Sequence, residues 1–226
     1  MPTLDPNWGA AFPHDLRPFL THWAAAVADA LAAQLPDDTS RAELAVRSRQ
    51  QTEAAVAAAE TRPPGGYDPP PPAVRGPARF FDRVGVSVTG GAGGPAAAAV
   101  LFVSPDDKRD SDAALGLAAA VTALLHDGAG VVVVDAVPGA PLAWATHLHS
   151  LIGIYPLVHR RPGVEMATLA VCPTFRDGAG GFDAWHSVLK PGGPLPVVPL
   201  AVRGGAVLRL DLEATYAAEC GRSGSH

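Results

Sequence analysis

Ala97-Ala-Ala-Val-Leu-Phe-Val103, Ser104-Pro-Asp-Asp-Lys-Arg-Asp110 and, one alanine- and leucine-rich run later, Val131-Val-Val-Val-Asp135 decide the fold. The first and last pieces read as strands. Residues 131–134 are an unbroken β-branched run, the pattern of a strand covered on both faces, as in a parallel sheet. Between them Leu115, Ala118, Val121, Leu124 and Leu125 recur at helical spacing. Asp110, Ser111 and Asp112 stand at the start of that helix and Gly128 beyond its end, as caps require. The spacing predicts a βαβ unit over residues 97–135. Its first strand carries the turn 104–110 to the carboxyl end of the sheet, where α/β proteins place their sites.

Working outward, residues 13–35 predict a first helix with one apolar stripe, Leu16, Leu20, Trp23, Val27 and Leu31. Pro18 is tolerated there only because it falls near the first turn. His14 and His22 lie too far apart for a ligand pair. Glu43-Leu-Ala-Val-Arg47 alternates like a strand, whereas the alanine-rich run to residue 60 favours helix by propensity. Residues 61–79 open with Thr-Arg-Pro-Pro-Gly-Gly-Tyr-Asp-Pro-Pro-Pro-Pro, which neither helix nor interior strand accepts. They read as a proline-rich connector inside one domain spanning residues 1–226. Residues 82–88 predict a half-buried strand forming a hairpin with 97–103 across a glycine-rich turn. That turn leads into a strand and lacks Gly-Lys-Ser/Thr, so it is no phosphate loop.

After the βαβ unit, residues 141–152 predict a short helix. His147 and His149 point in different directions on it and cannot chelate one ion together. Residues 165–171 predict a strand, and Trp185 within 182–189 is expected in the core, as is Trp23. Residues 194–212 offer Pro-Leu-Pro-Val-Val-Pro-Leu, a glycine turn at 204–205 and Val207-Leu-Arg-Leu-Asp-Leu-Glu, and 214–220 read as a short closing helix. The fold class is therefore α/β, a mixed sheet flanked by helices.

Composition narrows the function classes. At 226 residues the chain can bury a real core. Charged residues are 17%, below the usual quarter, which leaves apolar surface to cover and favours a protein partner or self-association. A net charge of −5 argues against holding nucleic acid by bulk electrostatics. Cys172 and Cys220 fit neither a disulfide framework nor a metal site. No signal peptide or membrane span is legible, so a cytoplasmic protein without a membrane partner is expected. Only Lys108 and Lys190 are lysine among 17 basic residues, which singles out the lysine in the turn.

Val-Leu-Phe-Val-Ser-Pro-Asp-Asp-Lys-Arg (100–109), the helix and strand ending at Val134-Asp135, and Pro-Leu-Pro-Val-Val-Pro-Leu (194–200) followed by Leu-Asp-Leu-Glu-Ala-Thr-Tyr-Ala-Ala-Glu-Cys (210–220) carry a resemblance. In that order they resemble an uncharacterised bacterial family whose members look like restriction-endonuclease-fold proteins of the PD-(D/E)xK type. The likeness covers most of the chain from about residue 80. It implies a restriction-endonuclease-like core in which two strand carboxylates hold Mg²⁺ and a lysine activates water. A hard cation needs those carboxylates while charge develops on a phosphate. Ser104, Pro105 and Lys108 match the family pattern. Leu101 stands where its strand glutamate would be, and Ala55 where a second acid is expected. The resemblance thus implies a vestigial site (Leu101, Ser104, Pro105, Lys108) with no catalysis, no resident metal and no cofactor. The alternative is a Mg²⁺-dependent nuclease or phosphodiesterase with displaced ligands drawn from Asp106, Asp107 and Asp135. Against it, acids at a helix start usually cap the helix or face solvent.

Overall fold

The computed structural model describes residues 4–6, 16–36, 40–47, 82–90, 94–139, 142–153, 165–176 and 178–223. Ala55 and the proline-rich connector at 61–79 lie outside them. Six strands form one mixed sheet in sequential order: β1 (Ser40–Arg47), β2 (Arg83–Gly90), β3 (Ala96–Phe102), β4 (Gly130–Asp135), β5 (Ala167–Arg176) and β6 (Ala179–Val188). Only β3 and β4 run parallel, Ala98 opposite Gly130 through Phe102 opposite Val134. The other neighbours are antiparallel, including the β2–β3 hairpin. A second sheet pairs β7 (Val197–Ala201) with β8 (Val207–Asp211). Their turn uses Gly204 and Gly205 at φ near +100°, which β-branched residues would resist.

The helices are α1 (Arg17–Ala32), α2 (Ser111–His126), α3 (Ala143–Ile152) and α4 (Leu212–Ser223). The sheet has an apolar layer on each face. On one side α1, α4 and the β7–β8 hairpin enclose Val86, Ala98, Val100, Phe102, Val132 and Val134. On the other, α2 and α3 pack on Val103, Val131, Val133, Ala167, Leu169 and Val171. Strand β4 is central, and all six of its residues are buried. Its alternate valines feed the two layers, which is why the run needs no polar residue. At its start Gly130 passes so close to β7 that a Cβ there would land on the Ala201 carbonyl.

The apolar stripe of α1 is buried along its whole length, from Leu16 to Leu31. Pro18 occupies the first turn. Two expectations need correction. The buried seam of α2 is Ala113, Ala114, Leu117, Ala118, Val121 and Leu125, while Leu115 is 42% exposed. A helix this rich in alanine and leucine leaves its rotational phase open: Ala118, Val121 and Leu125 of the expected stripe are buried, but the seam continues through Ala113, Ala114 and Leu117 in place of Leu115. Trp185 is 46% exposed rather than in the core. Strand β6 is the sheet's last strand, and among the described residues no strand pairs with its outer side.

Candidate functional site

The parallel pair β3–β4 brings the turn after β3 beside the end of β4. Val103 extends the ladder by donating its N–H to Val134 O at 2.9 Å, and the chain then turns away at Ser104-Pro105. Asp107 folds back onto that turn. Its Oδ2 accepts from the Ser104 backbone N–H at 2.9 Å and from Ser104 Oγ at 2.7 Å. The loop 106–108 is thereby wound into a single 3-10 turn, with Asp107 completely buried. Burial pushes the Asp107 carboxyl above its ordinary value, against the Ser104 hydrogen bonds and the nearby Arg83 charge. Its second oxygen, Oδ1, has no hydrogen-bond partner among the described residues.

That winding aims Lys108 inward. Its side chain is 3% exposed and Nζ lies 3.0 Å from Asp135 Oδ1. The same ammonium donates to the carbonyls of Val137, 2.5 Å, and Glu165, 2.6 Å. Three donors meet three acceptors, which is all a lysine can make. Asp135 is equally engaged: Oδ1 also accepts from Val137 N–H at 3.2 Å, and Oδ2 from Trp144 Nε1 at 2.8 Å. Burial pushes the Asp135 carboxyl up to about 6, although Lys108 and the Trp144 and Val137 donors all pull it down. The result is a buried ion pair that ties the turn after β3, the end of β4, α3 and the lead-in to β5 together.

The remaining acids divide by environment. Asp110 caps α2, its Oδ1 accepting from Ala113 N–H at 2.8 Å, as the sequence predicts. Asp106 is exposed and lies 3.4 Å from Arg17 and 3.7 Å from Arg109. The expectation of a capped helix start and solvated turn thus fits Asp106 and Asp110. It fails for Asp107 and Asp135, which are buried. Leu101 packs against the layer under α2. It also lines an open groove of about 300 Å³ between β1, β2 and α2, whose floor and walls are mainly Gly85, Ala99, Ala120 and Leu124. The charged residues lining that groove are Arg83, which donates to Gly116 O, and Asp127. His147 meets Ser111 Oγ at 3.1 Å, and His22 meets Glu219 at 3.4 Å. Among the described residues no three His, Cys, Asp or Glu side chains gather as a metal site would require.

Sequence reasoning missed Trp144. A buried carboxylate at the end of an apolar strand needs a second donor, but only the seating of α3 shows which residue supplies it. No known protein family, curated protein or solved structure matches the chain.

Proposed function

We propose that this chain is a non-catalytic protein of nuclease-like architecture that acts as a binding or structural component by associating with protein, its own copies included. One observation carries the reading: the Lys108 ammonium is fully spent on Asp135 and two backbone carbonyls. A lysine that activates water must present a donor to it. Nor is a cation expected to share a carboxylate with an ammonium 3.0 Å away. With Leu101 and Ala55 in place of acids, the nuclease-like resemblance supplies an architecture without its chemistry. No helix among the described residues is long and apolar enough to cross a membrane.

Incubation of the purified chain with single- and double-stranded DNA in Mg²⁺ or Mn²⁺ tests this. No metal-dependent cleavage is expected. Cleavage by the wild-type chain that vanishes in Lys108→Met, at a temperature where circular dichroism shows the variant folded, would overturn the proposal in favour of displaced ligands at Asp106, Asp107 or Asp135.

A further inference from the structure

We infer that α3 is a lid, hinged at Gly139 and Gly153 and latched to Asp135 by Trp144, which opens separately from the rest of the fold and bares the Lys108–Asp135 ion pair. The inference goes beyond the proposed function and does not depend on it.

The carboxyl end of β4 is closed by this helix. Asp135 is completely buried, and the Lys108 side chain is 3% exposed. Trp144, itself completely buried, lies against the pair and donates from Nε1 to Asp135 Oδ2 at 2.8 Å. Lifting α3 takes the indole off the carboxylate and lets water reach the ammonium.

Helix α3 is lightly anchored. It has ten residues, of which Trp144, Ala145 and Leu148 are buried. Helices α1 and α2 have sixteen residues each and bury eight and six. The backbone of α3 lies chiefly against α2 and the 3-10 turn that carries Lys108. Its tie from His147 to Ser111 Oγ, 3.1 Å, is exposed, where water competes for both groups. Leu151 on its outer side is 46% exposed. A helix of ten residues does not persist alone, so detaching α3 also unwinds it. Elements with few buried contacts are the ones that open locally, at lower free energy than the whole fold.

Both ends of the helix can turn. Gly139 at φ +86° and Gly153 at φ +72° flank it, and a Cβ at either would meet nothing within 4 Å. Glycine enters and leaves this region of backbone space freely, and hinges are a few such positions at the ends of elements. The latch between them is buried and charge-assisted, so it sets how often the lid lifts.

Lysine acylation measures the opening, because the chain holds two lysines, the buried Lys108 and the exposed Lys190. The full chain is pulsed with acetic anhydride at pH 8, in urea below the unfolding transition, and the label at each lysine is read by mass spectrometry. Lys108 is expected to react far more slowly than Lys190, at a rate almost independent of urea, because a local opening exposes little surface. Trp144→Phe keeps an aromatic ring and removes the latch. It is expected to speed Lys108 acylation at least about tenfold and leave Lys190 unchanged. Trp23→Phe, which loosens the opposite apolar layer, is expected to leave both rates unchanged. Lys108 acylation that climbs with urea as steeply as global unfolding overturns the inference, and this wild-type readout stands even if Trp144→Phe fails to fold. So does a Lys108 rate equal to that of Lys190, a rate indifferent to Trp144→Phe, or one raised equally by the two variants.

Discussion

Lys108→Met is expected to destabilise the protein by about 3–5 kcal/mol at pH 8 and by much less at pH 5. The substitution keeps the aliphatic stem of the side chain and removes its ammonium group. At pH 8 it leaves Asp135 ionised in a fully buried position, with only Trp144 Nε1 and the Val137 N–H to stabilise it. It also strips a donor from two carbonyls. At pH 5 the carboxyl can take up a proton and the uncompensated charge disappears. Even with Lys108 in place, burial holds the Asp135 carboxyl at about 6, above its unfolded value of 3.8. The folded state therefore binds this proton more tightly than the unfolded chain does. The stabilisation is complete below about pH 4 and is lost as pH rises through about 6, a change on the order of 3 kcal/mol. Urea melts of wild type and Lys108→Met at the two pH values check both statements. A variant whose loss is the same at pH 5 and pH 8 would show that the charge left on Asp135 is not the cause.

Trp23→Ala is expected to cost about 3–5 kcal/mol. The indole is completely buried between α1 and the sheet, 5.1 Å from Phe102 and 5.5 Å from Tyr216 between ring centroids. Its Nε1 donates to Thr215 Oγ1 at 3.0 Å. Truncation removes that bond and leaves a void where β3, α1 and α4 converge. Trp23→Phe keeps two of the ring contacts and leaves Thr215 bonded to the Leu212 carbonyl, so its loss should be markedly smaller. Denaturant midpoints of the two variants check this, and near-equal losses would contradict the packing described.

These two residues also mark where the sequence is readable. The stripe through Trp23 and the valines of β4 are periodic signals with one spatial solution each, so their burial follows from spacing. The parallel β3–β4 pair follows from the helix between the strands. The same logic loses its grip on α2, where alanine and leucine on neighbouring faces leave Leu115 and Leu117 equally plausible as core. Trp185 defeats it differently. An aromatic in an alternating strand reads as core unless one knows that the strand is the last of the sheet.

The site is legible in part. The βαβ topology brings residue 108 near residue 135, and Asp106, Asp107 and Asp135 are all open as partners for Lys108. What selects Asp135 is the inward winding of the 3-10 turn by Ser104 and Asp107. That local hydrogen bonding has no periodicity to announce it. Two of the lysine's three partners are backbone carbonyls, invisible in any sequence pattern. Trp144 joins only because α3 is seated over the end of β4.

Titration of the full chain with Mn²⁺, followed by electron paramagnetic resonance, tests most directly whether this end of the sheet is a closed ion pair and not a metal centre. With the Asp135 carboxylate engaged by Lys108, Trp144 and Val137, no ion-binding site tighter than about 1 mM that depends on Asp106, Asp107 or Asp135 is expected. One Mn²⁺ bound tightly per chain, and released by Asp106→Asn or Asp135→Asn in a variant that remains folded, would contradict the account.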